Sequence, residues 1–144
     1  REKGQTSPAE ELDGVARSLP ALWRAEKIQS KTAKAGFDWS GALSALDKLE
    51  EEVRELRAAL EAGAAADAPH GVREEVGDTL FIAAKIAQMS GVDPEDALHR
   101  ACDKYQTRFR RVADAADKPL SDYTETEKIA LWKQAKNESS SLTR

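Results

Sequence analysis

The chain has 144 residues, enough for one domain of ordinary size, and at 40% hydrophobic it can bury a core. Twenty-two basic residues against 26 acidic ones leave a net charge of −4, which argues against broad non-specific binding to nucleic acid. No run approaches the ~18 apolar residues of a membrane span, and a single cysteine, Cys102, excludes an internal disulfide and fits a reducing cytoplasm.

Residues 1–17 are polar, with Gly4, Pro8 and Gly14, and read as a flexible lead-in with at most a short turn over Glu10–Val15. Ser18-Leu19-Pro20 opens the first clear helix, because proline is favoured in the first turn, where its missing N–H costs nothing. The helix is expected to end near Ala35, with Gly36 as its stop. One face carries Leu19, Leu22, Trp23 and Ile28. Another carries Arg24, Lys27, Lys31 and Lys34, a basic row that is either solvated surface or a wall facing polyphosphate. Phe37-Asp38-Trp39-Ser40 connects to the next helix. Asp38 or Ser40 can cap it, and the two aromatics can plug a core or meet the face of a nucleobase.

The second predicted helix covers 41–62 and the third 72–90, joined by an Ala-rich loop in which His70 reads as an exposed bystander. Asp93-Pro94-Glu95-Asp96 has the cap, the proline and the acids of a helix start, and this fourth helix is expected to reach Ala115. Arg100, Lys104, Arg108 and Arg111 form a second basic row along it. Cys102 falls in register with Ala97, Leu98, Ala101 and Tyr105 and reads as a small core residue. Thr124-Glu125-Thr126-Glu127 is a capping box for a shorter last helix with Ile129, Leu131 and Trp132, after which residues 137–144 should fray. No segment shows strand periodicity. The expectation is an all-α domain over 18–136, with four main helices in a bundle and a shorter C-terminal one, pairing with a second copy through helix faces.

A short acidic phrase occurs twice, as Glu51-Glu52-Val53-Arg54-Glu55 and as Glu74-Glu75-Val76-Gly77-Asp78. Leu43, Leu46, Leu49, Val53, Leu56 and Leu60 surround the first copy at helical spacing, and Val72, Val76, Leu80, Ala83 and Ala87 the second. With ~100° of turn per residue, Glu52/Glu55 and Glu75/Asp78 occupy the same shoulder of their apolar stripes. If the two stripes pack antiparallel, four carboxylates converge, and they cannot all stay ionised half-buried without cations. Oxygen-only ligands suit Mg²⁺, with Mn²⁺ the alternative. The competing reading is a solvated acidic face on a helical interaction module. A di-iron site needs Glu-x-x-His on two helices, and only Asp96–His99 approaches it. A nucleophilic triad has no candidate, and zinc would want Cys/His clusters. Carboxylates, Mg²⁺ and two basic rows support metal-assisted phosphoryl chemistry, with Lys104 and Arg108 on the phosphates and Glu51 orienting or deprotonating water.

The arrangement Glu51-Glu52-x-x-Glu55, 19 residues, then Glu75-x-x-Asp78 resembles the signature of the all-α nucleoside triphosphate pyrophosphohydrolases, and within them the catalytic C-terminal-type domain of the MazG branch. Gly36-Phe-Asp-Trp39, Asp47-Lys48, Glu75-Val-Gly-Asp-Thr-Leu-Phe81, Lys104-Tyr-x-x-Arg-Phe109 and Trp132 carry the likeness, which covers roughly Leu12 to Lys136. The resemblance implies hydrolysis of a nucleoside triphosphate to the monophosphate and pyrophosphate in the cytoplasm, by a dimer or higher oligomer. It implies Mg²⁺ on Glu52, Glu55, Glu75 and Asp78; together with the chemistry above, Glu51 and Glu52 are the expected catalytic acids. Lys48, Lys104 and Arg108 would contact phosphates, helped by Lys31, and Trp132 the nucleotide; Phe37 and Trp39 would neighbour the base. Gly71 departs from the polar residue common there, a loss that Arg73 could make good. A degenerate relative that binds nucleotide without cutting it is the other form this resemblance allows. Longer relatives carry two such domains, so the chain is either an excised second domain or a single-domain protein.

Overall fold

The computed structural model describes residues 7–63 and 65–142; the expectations for residues 1–6 and 143–144 lie outside the described residues. The described residues form six α-helices and one 3-10 turn, with no strand and no helix long and apolar enough to cross a membrane. They fall into two compact units, 1–97 and 98–144.

The first unit opens with α1 (Pro8–Asp13), so the expected lead-in holds a short helix. The cause is local: the Ser7 hydroxyl accepts the Glu10 N–H at 3.2 Å, Pro8 starts the first turn, and Glu10 and Glu11 face the helix N-terminus. α1 packs on α2 (Ala21–Lys34), and α2 packs on α4 (Val72–Met89). The most extensive pairing joins α4 to α3 (Ala42–Ala62), with which it forms a helical hairpin. Gly63, at φ 63°, ends α3 in the left-handed conformation that glycine adopts without strain. Gly71 closes the loop, since a Cβ there would stand 2.7 Å from the carbonyl oxygens of Ala66 and Ala68. A lysine or other side chain at that position would force the loop to shift.

The hairpin seam differs from the expected one. On α3 the buried residues are Ala45, Glu52 and Ala59, spaced by seven; on α4 they are Glu75, Ile82, Ala84 and Lys85. Alanine lets the helices approach closely, so the seam passes through the acids themselves. The leucine–valine stripes expected to fill it stand open: Leu43 is 79% exposed, Leu60 61% and Leu80 52%. Periodicity marks an apolar face but does not say whether the same chain covers it.

α5 (Pro94–Ala115) starts in the first unit, where Asp93 Oδ1 accepts the Glu95 N–H and the Trp23 indole N–H, each at 2.9 Å. In the second unit α5 and α6 (Glu125–Leu142) bury Val112 and Ala135, and Tyr105 meets Trp132 with ring centroids 5.2 Å apart. Cys102 is exposed rather than buried, along with every residue of 98–107, so its register faces outward. The Thr124 capping box forms: the Thr124 N–H donates to Glu127 at 2.8 Å and the Glu127 N–H to the Thr124 hydroxyl at 3.2 Å. α6 holds 18 residues, as many as α4, and runs to Leu142 instead of fraying from 137, because no glycine or proline interrupts it.

Candidate active site

Glu52 of α3 meets Glu75 and Asp78 of α4 across the seam, with one carboxylate oxygen from each within 4.8 Å of the others. Glu52 is 6% exposed and Glu75 3%, while Asp78 lies at the solvent margin. Two oxygens, Glu52 Oε2 and Glu75 Oε2, are buried with no hydrogen-bond partner. A buried acceptor left unmatched costs about 1–3 kcal/mol, and more when it is charged. Compensation from the chain is small. Lys48 Nζ lies 3.3 Å from Glu52 and 3.3 Å from Glu51, and His70 Nδ1 lies 3.7 Å from Glu75. Asp78 is held above the ordinary carboxylate range, first by loss of hydration and then by the charges of Glu52 and Glu74. Lys48 is held above its usual value by hydrogen bonds to Glu51 and then Glu52. Three convergent carboxylates with orphaned oxygens fit a hard divalent cation, since all the donors are oxygen and the charge is uncancelled.

Of the four expected ligands, Glu52, Glu75 and Asp78 come together, and Glu55, exposed one turn further along α3, falls outside that group. Glu51 sits beside Lys48 at the rim. Arg73, in the first turn of α4, is engaged by Asp67 of the preceding loop. His70, read as a bystander, is held in the left-handed region at φ 56°, its N–H donating to Glu74 Oε2 at 2.6 Å. Its side chain is exposed, as expected, with Nδ1 3.7 Å from the buried Glu75. Lys31 lies half-buried on α2. In the second unit Arg108 is half-buried with an unpartnered Nε, Lys104 is exposed, and Trp132 is half-buried against Tyr105.

With that geometry in view, the comparisons with known proteins narrow the family. Residues 41–113 match the MazG nucleotide pyrophosphohydrolase domain. The chain belongs to this family. It is 40% identical over 111 residues to the nucleoside triphosphate pyrophosphohydrolase of Escherichia coli K12, a match covering 77% of this chain and 41% of the relative. It is 31% identical over 139 residues to the nucleoside triphosphate pyrophosphohydrolase/pyrophosphatase MazG of Thermotoga maritima, covering 94% of this chain and 51% of the relative. The chain thus spans about half of those relatives' length or less. Both halves of the acidic phrase lie inside the matched MazG segment, as do Lys48, Lys104 and Arg108.

In this MazG domain α2, the 37–39 connection and α4 line an open pocket of about 380 Å³. Ile28, Gln29, Phe37, Trp39, Phe81 and Lys85 are among its walls. Lys85, 4% exposed, pairs with Asp38 at 2.5 Å and donates to Gln88 at 2.7 Å. The lysine holds Asp38 below the ordinary carboxylate range. Gln29, 4% exposed, donates from Nε2 to the Phe81 carbonyl at 2.7 Å and leaves Oε1 without a partner. Sequence reading missed both residues. The available signal was a lysine inside the apolar run 82–87, which demands a buried acid.

Proposed function

We propose that the domain hydrolyses nucleoside triphosphates to the monophosphate and pyrophosphate with Mg²⁺, in the cytoplasm, serving to clear or control nucleotide pools. The observation that carries this reading is the trio Glu52, Glu75 and Asp78, with two buried carboxylate oxygens that have no hydrogen-bond partner among the described residues. The names of the relatives supply the reaction class. Bound Mg²⁺ would supply Lewis-acid stabilisation of charge on the phosphates. Glu52, Glu75 and Asp78 would hold it, with Glu55 joining at the exposed edge. Water cuts the α–β phosphoanhydride. Glu51, at the rim beside Lys48, orients that water and takes its proton, while Lys48 balances the charge. Lys104 and Arg108 bind phosphate oxygens, Lys31 extends the basic wall, and Trp132 contacts the nucleotide. Phe37 and Trp39 neighbour the base, both exposed enough to be reached.

The test is release of pyrophosphate from a panel of triphosphates with Mg²⁺. Release that stops on adding EDTA is expected; no release from any triphosphate would contradict the reading.

Self-association follows from the open stripe of Leu43, Val53 and Leu60 on α3, too much apolar surface for a lone chain to leave in water. Sedimentation should show a dimer or larger species that Leu60→Glu shifts to monomer; a monomeric wild type would contradict it.

A further inference from the structure

The turn into α4 brings His70 to the edge of the acid trio. Glu74 accepts the His70 backbone N–H at 2.6 Å, and that bond pins the residue in the left-handed region at φ 56°, where few non-glycine residues rest. The imidazole is 85% exposed, with Nδ1 3.7 Å from Glu75 Oε1. That is beyond hydrogen-bond reach, so among the described residues neither ring nitrogen makes a hydrogen bond. Its neighbours cannot do what it can. Gly71 has no side chain, and a Cβ there would strike the carbonyl oxygens of Ala66 and Ala68. Arg73 is held by Asp67. The order along α4 gives the imidazole a direction. Glu75, Asp78, Ile82 and Lys85 step by three, four and three, on one face. The pocket residues Phe81, Ile82 and Lys85 lie in the C-terminal half of the helix, the acids before them, and His70 just ahead of the first turn. A nucleotide with its base at the pocket and its α–β anhydride at the trio runs its last two phosphates toward His70.

We infer that His70 is a substrate-binding residue that holds the terminal phosphates, the pair that leaves as pyrophosphate. The inference rests on the proposed triphosphate chemistry and adds to it a contact at the departing end. Even a neutral imidazole carries one N–H, which can donate to a phosphate oxygen. Three carboxylates repel a bare phosphate, so the contact forms only when a divalent cation offsets their charge. The pinned backbone limits the freedom that the ring loses on binding. His70 thereby fills the role that Gly71 has no side chain for and that Arg73, spent on Asp67, does not take.

Two measurements on the full chain test this, with His70→Gly as the variant. Glycine adopts φ 56° freely and keeps the backbone N–H that Glu74 accepts, so the change removes the imidazole and leaves the loop. The first measurement is steady-state pyrophosphate release with Mg²⁺, from the triphosphate that the wild type cleaves best. His70→Gly should lower kcat/KM about tenfold, mainly by raising KM, the size of one lost hydrogen bond to a charged group. Added imidazole should restore part of that loss and leave the wild type unchanged. The second follows the His70 ring by NMR. The chain has two histidines, so the His70 signals are those that His70→Gly lacks. Inorganic pyrophosphate added after Mg²⁺ should move them saturably beyond the effect of Mg²⁺ alone. Pyrophosphate release with the same KM in His70→Gly and wild type would overturn the inference and leave the triphosphate reading standing. A ring that pyrophosphate does not move, with a kinetic loss that imidazole does not recover, would also overturn it, because His70 would then only hold the loop. A ring moved by pyrophosphate in a protein that cleaves no triphosphate would keep the phosphate contact and contradict the triphosphate reading.

Discussion

One face of α4 handles buried charge in two ways. At Lys85 the charge is cancelled within the chain: Asp38 lies 2.5 Å away, Gln88 takes a second N–H, and the pair sits on a mostly apolar wall. Two to three turns earlier, at Glu75 and Asp78, the charge accumulates. Glu52 adds to it from α3, and Lys48 beside it is shared with Glu51. A fold that can supply a counter-ion at one end of a helix face and withholds it at the other is not merely tolerating charge. The compensated end is part of the framework, and the uncompensated end is a place for a ligand.

The largest effect should come from removing a withheld charge. Glu75→Gln should cut pyrophosphate release at least ~100-fold, the loss of about 3 kcal/mol of transition-state stabilisation. The same change should leave the metal-free protein as stable as before or more so, because it relieves repulsion among three acids. A melting curve in EDTA checks this, and a marked loss of stability would mean that Glu75 is a framework residue. At the compensated end the signs reverse. Asp38→Ala strands the Lys85 cation and should cost roughly 2 kcal/mol in urea unfolding, less than the 3–5 of a fully buried pair because Asp38 is partly solvated. Lys85→Met, which removes the cation itself, should cost less than Asp38→Ala; the opposite order would show that the lysine acts by packing.

The smallest effect is with pH. Asp78 titrates above the usual value in the folded chain, so folding is penalised while it is ionised, and the penalty fades as pH falls through its raised value. Asp38 titrates below 3.8, so its contribution is present above that value and is lost as pH falls through the lowered one. The metal-free protein should therefore be most stable in mildly acid solution, between those two ranges. Saturating Mg²⁺ should erase the acid-side gain from Asp78. Melting temperatures from pH 3 to 8 with and without Mg²⁺ test this, and identical profiles would refute it.

Much of this was legible in the sequence. Helix ends followed from Gly63, Asp93-Pro94 and the Thr124 box, because capping is local chemistry. The repeated acidic phrase marked three of the residues that meet. What was not legible is which face of each helix the chain itself buries. Leucine stripes looked like the seam, but Ala45 and Ala59 bring the helices together around Glu52 and leave Leu43 and Leu60 outside. Glu55 repeats the position of Asp78 by phase alone and still faces solvent. Gln29 and Lys85 were hidden for the same reason: their meaning comes from Phe81 and Asp38, remote in sequence and adjacent only after folding.

The most direct test of the uncompensated trio is a thermal-shift titration with Mg²⁺ alone, no nucleotide, on wild type and Glu75→Gln. The account predicts a saturable rise in melting temperature for wild type and none for the variant. An equal rise in both, or none in wild type, would contradict it.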